Sequence, residues 1–166
     1  MAKGGKEKLK TPTDLGDNAT KTVAQALNGI LADSYALYFK TKNFHWHVSG
    51  PHFRDYHLLL DDQAAQIFAT TDAIAERVRK TGNTTLRSIG DVSRHQTIKD
   101  NDAEFVSAPA MLAELREDNL ALVASLREAK DIVDEAKDNA TSGILDEWTD
   151  QAEERAWFLF EASRTG

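Results

Sequence analysis

The sequence predicts an all-α fold: a four-helix bundle with a short extra helix in the connection between the second and third helices. Three observations carry this. Apolar residues recur at three- and four-residue spacing through four long stretches, as in helices that each bury one stripe. The 166 residues include only three prolines, and 28% of them are charged, which favours helix over sheet. The polar connection before the third stretch is long, which suits a bundle with a crossover better than a plain up-and-down one.

The chain is long enough for one domain with a proper core. It has no cysteine, so disulfides and thiolate metal sites are excluded, and a reducing cytosol fits. No apolar run approaches the length of a membrane span. The early lysines are not followed by an apolar segment of the secretory kind. A net charge of −7 argues against a body that binds nucleic acid by itself. There is no internal repeat, Gly-rich phosphate loop or nucleophile triad.

Residues 1–14 read as a flexible tail bearing Lys3, Lys6, Lys8 and Lys10 between Gly4, Gly5 and Pro12. Such a composition cannot build a core. It is either a solubilising end or a mobile basic arm that contacts phosphates. Residues 15–166 form the bundle domain. The first bundle helix starts near Asp17 or Asn18, either of which can cap it. Its stripe is Val23, Leu27, Ile30, Ser34, Leu37, Thr41, His45 and Val48, so His45 points inward. Gly50-Pro51 ends it.

The second helix runs from about His52 to Lys80 without Gly or Pro. Its stripe is Phe53, Tyr56, Leu60, Ala64, Ile67, Thr71, Ala75 and Val78. Residues 84–107 are mixed and polar, with a short amphipathic piece around Leu86, Ile89 and Val92; His95 reads as surface. The third helix opens at Pro109, with a stripe from Leu112 to Ala136. It ends among Asp131, Asp134, Glu135 and Asp138, where negative charge opposes the macrodipole. Those acids are either a solvated face or a funnel for cations. The fourth begins near Thr141 or Ser142 and carries Leu145, Trp148, Ala152, Ala156, Leu159 and Phe160.

The chemistry concentrates in residues 43–76, which hold four of the five histidines: His45, His47, His52 and His57. Beside the stripe of the second helix stand two i,i+4 pairs, His57/Asp61 and Asp72/Glu76. They share an arc of roughly 100° but lie ~22 Å apart along the axis. One metal cannot touch both pairs of one chain. An antiparallel copy crossing near Gln66 and Ile67 would set each pair opposite the other and make two equal sites. The same flank carries Leu58, Ala65, Phe68 and Ala69, apolar enough to face protein. Mixed imidazole and carboxylate ligands suit iron, manganese or zinc.

These residues resemble the signature of the Dps family, the mini-ferritins of starved bacterial cells. An H-W pair (His45, Trp46) ends the first helix. Then come a Gly and a Phe, H-x-x-x-D (His57, Asp61), D-x-x-x-E (Asp72, Glu76) and A-E-R (Ala75 to Arg77). A late W-F-L run, Trp157 to Leu159, extends the likeness to roughly residues 15–164. The resemblance implies a ferritin-like bundle and a hollow dodecamer built from two-fold dimers. It implies iron, oxidised at a dinuclear site by hydrogen peroxide and stored as ferric mineral. His45, His57 and Asp61 would come from one chain, Asp72 and Glu76 from its partner. Trp46 would lie close to the iron. His47 stands where the family usually has Asn, and reads as a group supporting the ligands in preference to a spare ligand. Asp134 and Asp138 match positions that line iron-uptake pores in the family; Asn139 and Gly143 stand where acids often occur. The lysine tail would bind DNA without sequence preference, which would place the protein in the cytoplasm, at the nucleoid when DNA is bound. A DNA-compacting role with the shell as scaffold is the alternative.

Overall fold

Six helices make up the structure, a computed structural model that describes residues 3–165; Met1, Ala2, Gly166 and the side chains of Lys3 and Lys6 lie outside the described residues. They are α1 (Lys3–Lys8), α2 (Asp17–His47), α3 (Phe53–Lys80), α4 (Ile89–His95), α5 (Ala108–Glu135) and α6 (Asn139–Ala162). The bundle is α2, α3, α5 and α6. Helix α2 packs on α3 and α5, α5 on α6, and α3 on α6, while α4 rests on α2. The architecture is the one the periodicity predicts, with the short helix in the connection between α3 and α5.

The stripes meet in one core containing Leu27, Leu37, Leu60, Ile67, Leu115, Leu126 and Leu145. Every predicted stripe position of α2 is buried, His45 included. Two predicted core aromatics are not. Phe53 and Phe160 are nearly half exposed. Phe53 is the first residue of α3, before the bundle closes over it, and its ring stacks on His57 with centroids 5.0 Å apart. Phe160 takes cation–π contacts from Arg116 and Arg164 instead.

The predicted starts of α2 and α6 shift by a residue or more: Gly16 precedes α2 without a side-chain cap, and Asp138 caps α6. Ser107 caps α5, with Pro109 in its first turn as predicted. The crossover is fixed by a buried carboxylate: Asp33 accepts from Thr97 N at 2.6 Å, Thr97 Oγ1 at 2.7 Å and Ile98 N at 3.0 Å. Lys40, also buried, pairs with Glu114 at 3.0 Å and Asp118 at 2.8 Å. Burial raises the Asp118 carboxyl above its ordinary range despite that bond. In the bundle interior Arg155 donates to Asn119 Oδ1 and Gln66 Oε1, and burial lowers its pKa to about 10.

The tail differs from expectation. Lys3–Lys8 is a helix of six residues. Beyond it, Arg79 at the end of α3 donates to the Leu9 carbonyl at 2.7 Å, and Lys10 meets Asp17 at 3.3 Å. The reason for this docking is local. Gly82, at φ +91, leaves room for the Thr11 carbonyl, which would lie 2.8 Å from any Cβ placed there.

Candidate metal centre

The turn between α2 and α3 is short because its residues allow it. Val48 closes α2, Gly50 sits at φ +120, where a side chain would be strained, and Pro51 helps turn the chain. The reversal brings His45, in the last turn of α2, against His57, in the second turn of α3. Their rings stack with centroids 3.8 Å apart and planes 17° from parallel.

Each imidazole is clamped by the other residue's backbone. His45 Nδ1 lies 2.7 Å from the His57 carbonyl oxygen, and His57 Nδ1 lies 2.7 Å from the His45 carbonyl oxygen. A carbonyl only accepts, so both Nδ1 atoms carry the hydrogen. In the neutral rings both Nε2 atoms therefore keep their lone pairs, the state a metal needs. His45 Nε2 is 3.8 Å from Asp61 Oδ1. One metal bound at about 2.0–2.2 Å to each atom is compatible with that separation.

Asp61 is exposed. Lys42 donates to its Oδ1 at 2.7 Å, and this bond is the first cause of a carboxyl pKa below the ordinary value. The sequence reading overlooked Lys42. Its signal was available: it stands three residues before His45, on the same side of α2.

Asp72 and Glu76 are also exposed, lower on the same flank of α3. Glu76 pairs with Lys80, at 3.3 Å along its own helix. Leu58 and Phe68 lie open on this flank, each about half exposed. Among the described residues of one chain, no three histidine or carboxylate side chains converge closely enough to hold a metal ion. His45 is in reach of both His57, by ring stacking, and Asp61, at 3.8 Å.

The other sequence candidates divide. Trp46 follows His45 but projects outward, 55% exposed, with its ring edge-on to Phe39. His47 is not in the His45/His57 cluster. Its Nδ1 donates to the carbonyl and amide oxygens of Asn43, at 2.8 and 2.9 Å, and it lines a groove of about 780 Å³ between α2 and the crossover. Asp134 is exposed and accepts from Ser142 Oγ at 2.5 Å. Asp138 is a correction. It is 4% exposed, and its carboxylate is consumed inside the chain. Oδ1 accepts from Arg77 at 2.9 Å and from Thr141 N at 3.1 Å; Oδ2 accepts from Thr141 Oγ1 at 2.5 Å. It caps α6 and ties it to α3, so it does not line a funnel. Lys8 and Lys10 of the tail are exposed; the side chains of Lys3 and Lys6 lie outside the described residues.

Known proteins share this fold. The profile of the ferritin-like domain family matches residues 24–163. A DNA protection during starvation protein of Agrobacterium fabrum is 35% identical over 150 residues, spanning 90% of this chain and 93% of that one. The chain belongs to the Dps family of mini-ferritins. A second relative is an uncharacterized low temperature-induced protein of Nostoc sp. It is 38% identical over 146 residues, covering 87% of this chain and 82% of that one. Among solved structures, DpsC from Streptomyces coelicolor superposes on the Dps chain with a TM-score of 0.90 at 27% identity, covering 95% and 92% of the two chains. The ferritin-like bundle with its short crossover helix is thus the Dps fold. No helix among the described residues is long and apolar enough to cross a membrane.

Proposed function

We propose that this chain is a ferroxidase and iron store. Two copies pair through the exposed flank of α3. His45, His57 and Asp61 of one copy then face Asp72 and Glu76 of the other, and the pair builds into a closed dodecamer. The observation that carries this reading is the reciprocal histidine clamp. It holds two imidazoles in the metal-binding tautomer beside one carboxylate, on a chain whose Asp72 and Glu76 are exposed and lie elsewhere along α3.

Iron is the substrate. Imidazole suits the ferrous ion, and carboxylates suit the harder ferric product. Hydrogen peroxide takes one electron from each of two ferrous ions and gains two protons, leaving two waters and two ferric ions. The chain contributes position: the backbone carbonyls of His45 and His57 fix both rings, and the paired flanks reduce access of water. Consumption of peroxide and ferrous iron together would protect DNA chemically, without contact. A second reading, non-specific DNA binding through the tail, draws on the exposed Lys8 and Lys10.

The test is ferrous oxidation by the assembled protein, with peroxide or with dioxygen added after anaerobic loading. His57→Ala should slow oxidation by about 10–100-fold, the usual cost of disturbing a metal's ligand environment. An unchanged rate would remove the clamp from the chemistry. Faster oxidation by dioxygen than by peroxide would keep the ferroxidase and change its oxidant.

A further inference from the structure

Arg155 is a buried cation that its own chain does not neutralise. Elsewhere the fold matches its buried charges: Lys40 meets Glu114 and Asp118, and Asp138 meets Arg77. Arg155, 4% exposed, has only neutral amides around its guanidinium. Nε donates to Asn119 Oδ1 at 2.7 Å and Nη1 to Gln66 Oε1 at 2.8 Å, so more than half of its five N–H groups stay without a protein acceptor among the described residues. No carboxylate among those residues pairs with it, and Glu154, whose charge favours the guanidinium, is itself exposed. With a pKa of about 10 it is still charged at neutral pH. A buried charge without a counter-charge is strongly unfavourable.

The guanidinium borders a pocket of about 10 Å³ inside the bundle, whose walls include Ile67, Leu122 and Trp148. We propose that this pocket is a halide site, where a chloride ion supplies the counter-charge of Arg155 and helps hold α3, α5 and α6 together. The size selects the ligand: such a volume takes one occupant of roughly the size of a water molecule. Phosphate, carboxylates and organic ligands are too large, and chloride is only a little larger than water. The wall selects the sign. No carboxylate or imidazole lines the pocket. Trp148, two turns before Arg155 on the same face of α6, is 7% exposed, and its indole N–H meets no acceptor among the described residues. The hydroxyls of Ser34 and Thr70, also on the wall, already donate to the carbonyls of Ile30 and Ile67. Recognition therefore falls to the guanidinium and the indole. A water molecule would fill the volume but leave the charge unbalanced. A guanidinium is more weakly hydrated than an ammonium, which suits a partner held away from bulk water.

Bromide, which scatters anomalously, tests occupancy in the wild type. Crystals of the assembled full-length protein grown in sodium bromide should show an anomalous peak in each chain beside the Arg155 guanidinium. Thermal unfolding then tests whether the ion acts in solution. Raising sodium chloride about 100-fold, with ionic strength held constant by sodium gluconate, should raise the unfolding midpoint by roughly 5 °C. Arg155→Met keeps an apolar stem without the charge, and should lose both the peak and the chloride response. Where Arg155→Met does not fold, the two wild-type measurements decide. A pocket that takes up no bromide would overturn the proposal and assign the volume to water. A bromide peak without a chloride-dependent midpoint would mean an adventitious ion only, and would overturn it as well. A chloride response that persists in Arg155→Met would place the effect elsewhere on the protein.

Discussion

The flank of α3 and the turn between α5 and α6 both present acids that look ready for metal, and they use them in opposite ways. At the turn, Asp138 is buried and bonded to Arg77 and Thr141. On the flank, Asp72 is exposed, Glu76 pairs with an exposed lysine of its own helix, and Asp61, half exposed, pairs with Lys42. The difference lies in what reaches the carboxylate. A guanidinium and a helix N-terminus supply directed donors inside the fold, so they use up the acid. A single ammonium on a flexible stem, paired with an exposed carboxylate, does not. A carboxylate is available for a metal when its own chain leaves it unfinished.

The largest effect that sharpens this contrast is expected on the flank. Asp72→Ala/Glu76→Ala should cut ferrous oxidation by about 100-fold or more, with the melting temperature of the protein nearly unchanged, because both side chains are exposed. A large loss of stability would mean that these acids, like Asp138, serve the fold.

The reverse pattern is expected at the turn. Asp138→Ala removes the cap of α6 and leaves Arg77, itself only 15% exposed, without its carboxylate. Denaturant unfolding should show a loss of about 3 kcal/mol, while the rate of ferrous oxidation per folded molecule stays near the wild-type value. A stable Asp138→Ala protein with slow iron uptake would return Asp138 to a pore.

This contrast marks the limit of what the sequence discloses. Periodicity placed His45 and His57 correctly, because a stripe and a Gly-Pro turn determine which residues face which. It also separated the two α3 pairs along the axis. It could not tell Asp134 from Asp138. Both sit among acids at a helix end, and the deciding partner, Arg77, is 61 residues away from Asp138. Lys42 escaped for a similar reason, since its carboxylate lies 19 residues off on the next helix. Phe53 carried a core signal, but its ring covers His57 instead. Short-range pattern fixes direction along one helix; long-range donors fix the use of a polar group.

A smaller effect is expected at Asp134, which remains exposed and is the surviving candidate for guiding cations into a shell. Asp134→Asn should slow iron uptake a few-fold at low ionic strength and hardly at all at high salt, since screening removes steering. Equal rates at low salt would make it a solvated acid. The smallest effect is expected from the tail. Lys10 already meets Asp17, and Arg79 holds the Leu9 carbonyl, so this end of the tail is tied to the body. Full-length protein should retard DNA in gels weakly, only at low salt and without sequence preference, and deletion of residues 1–10 should abolish this. Retardation that survives the deletion would place the contact on the body.

The sharing of one site between two copies is tested most directly by mixing. His57→Ala/Asp61→Ala chains and Asp72→Ala/Glu76→Ala chains are each expected to be inactive alone. When co-assembled, a heterodimer keeps one interface wholly intact while the other is doubly damaged. Ferrous oxidation should therefore reappear in the mixed assembly and grow with the fraction of mixed dimers. Proven co-assembly with no recovered oxidation would contradict a site built from two chains.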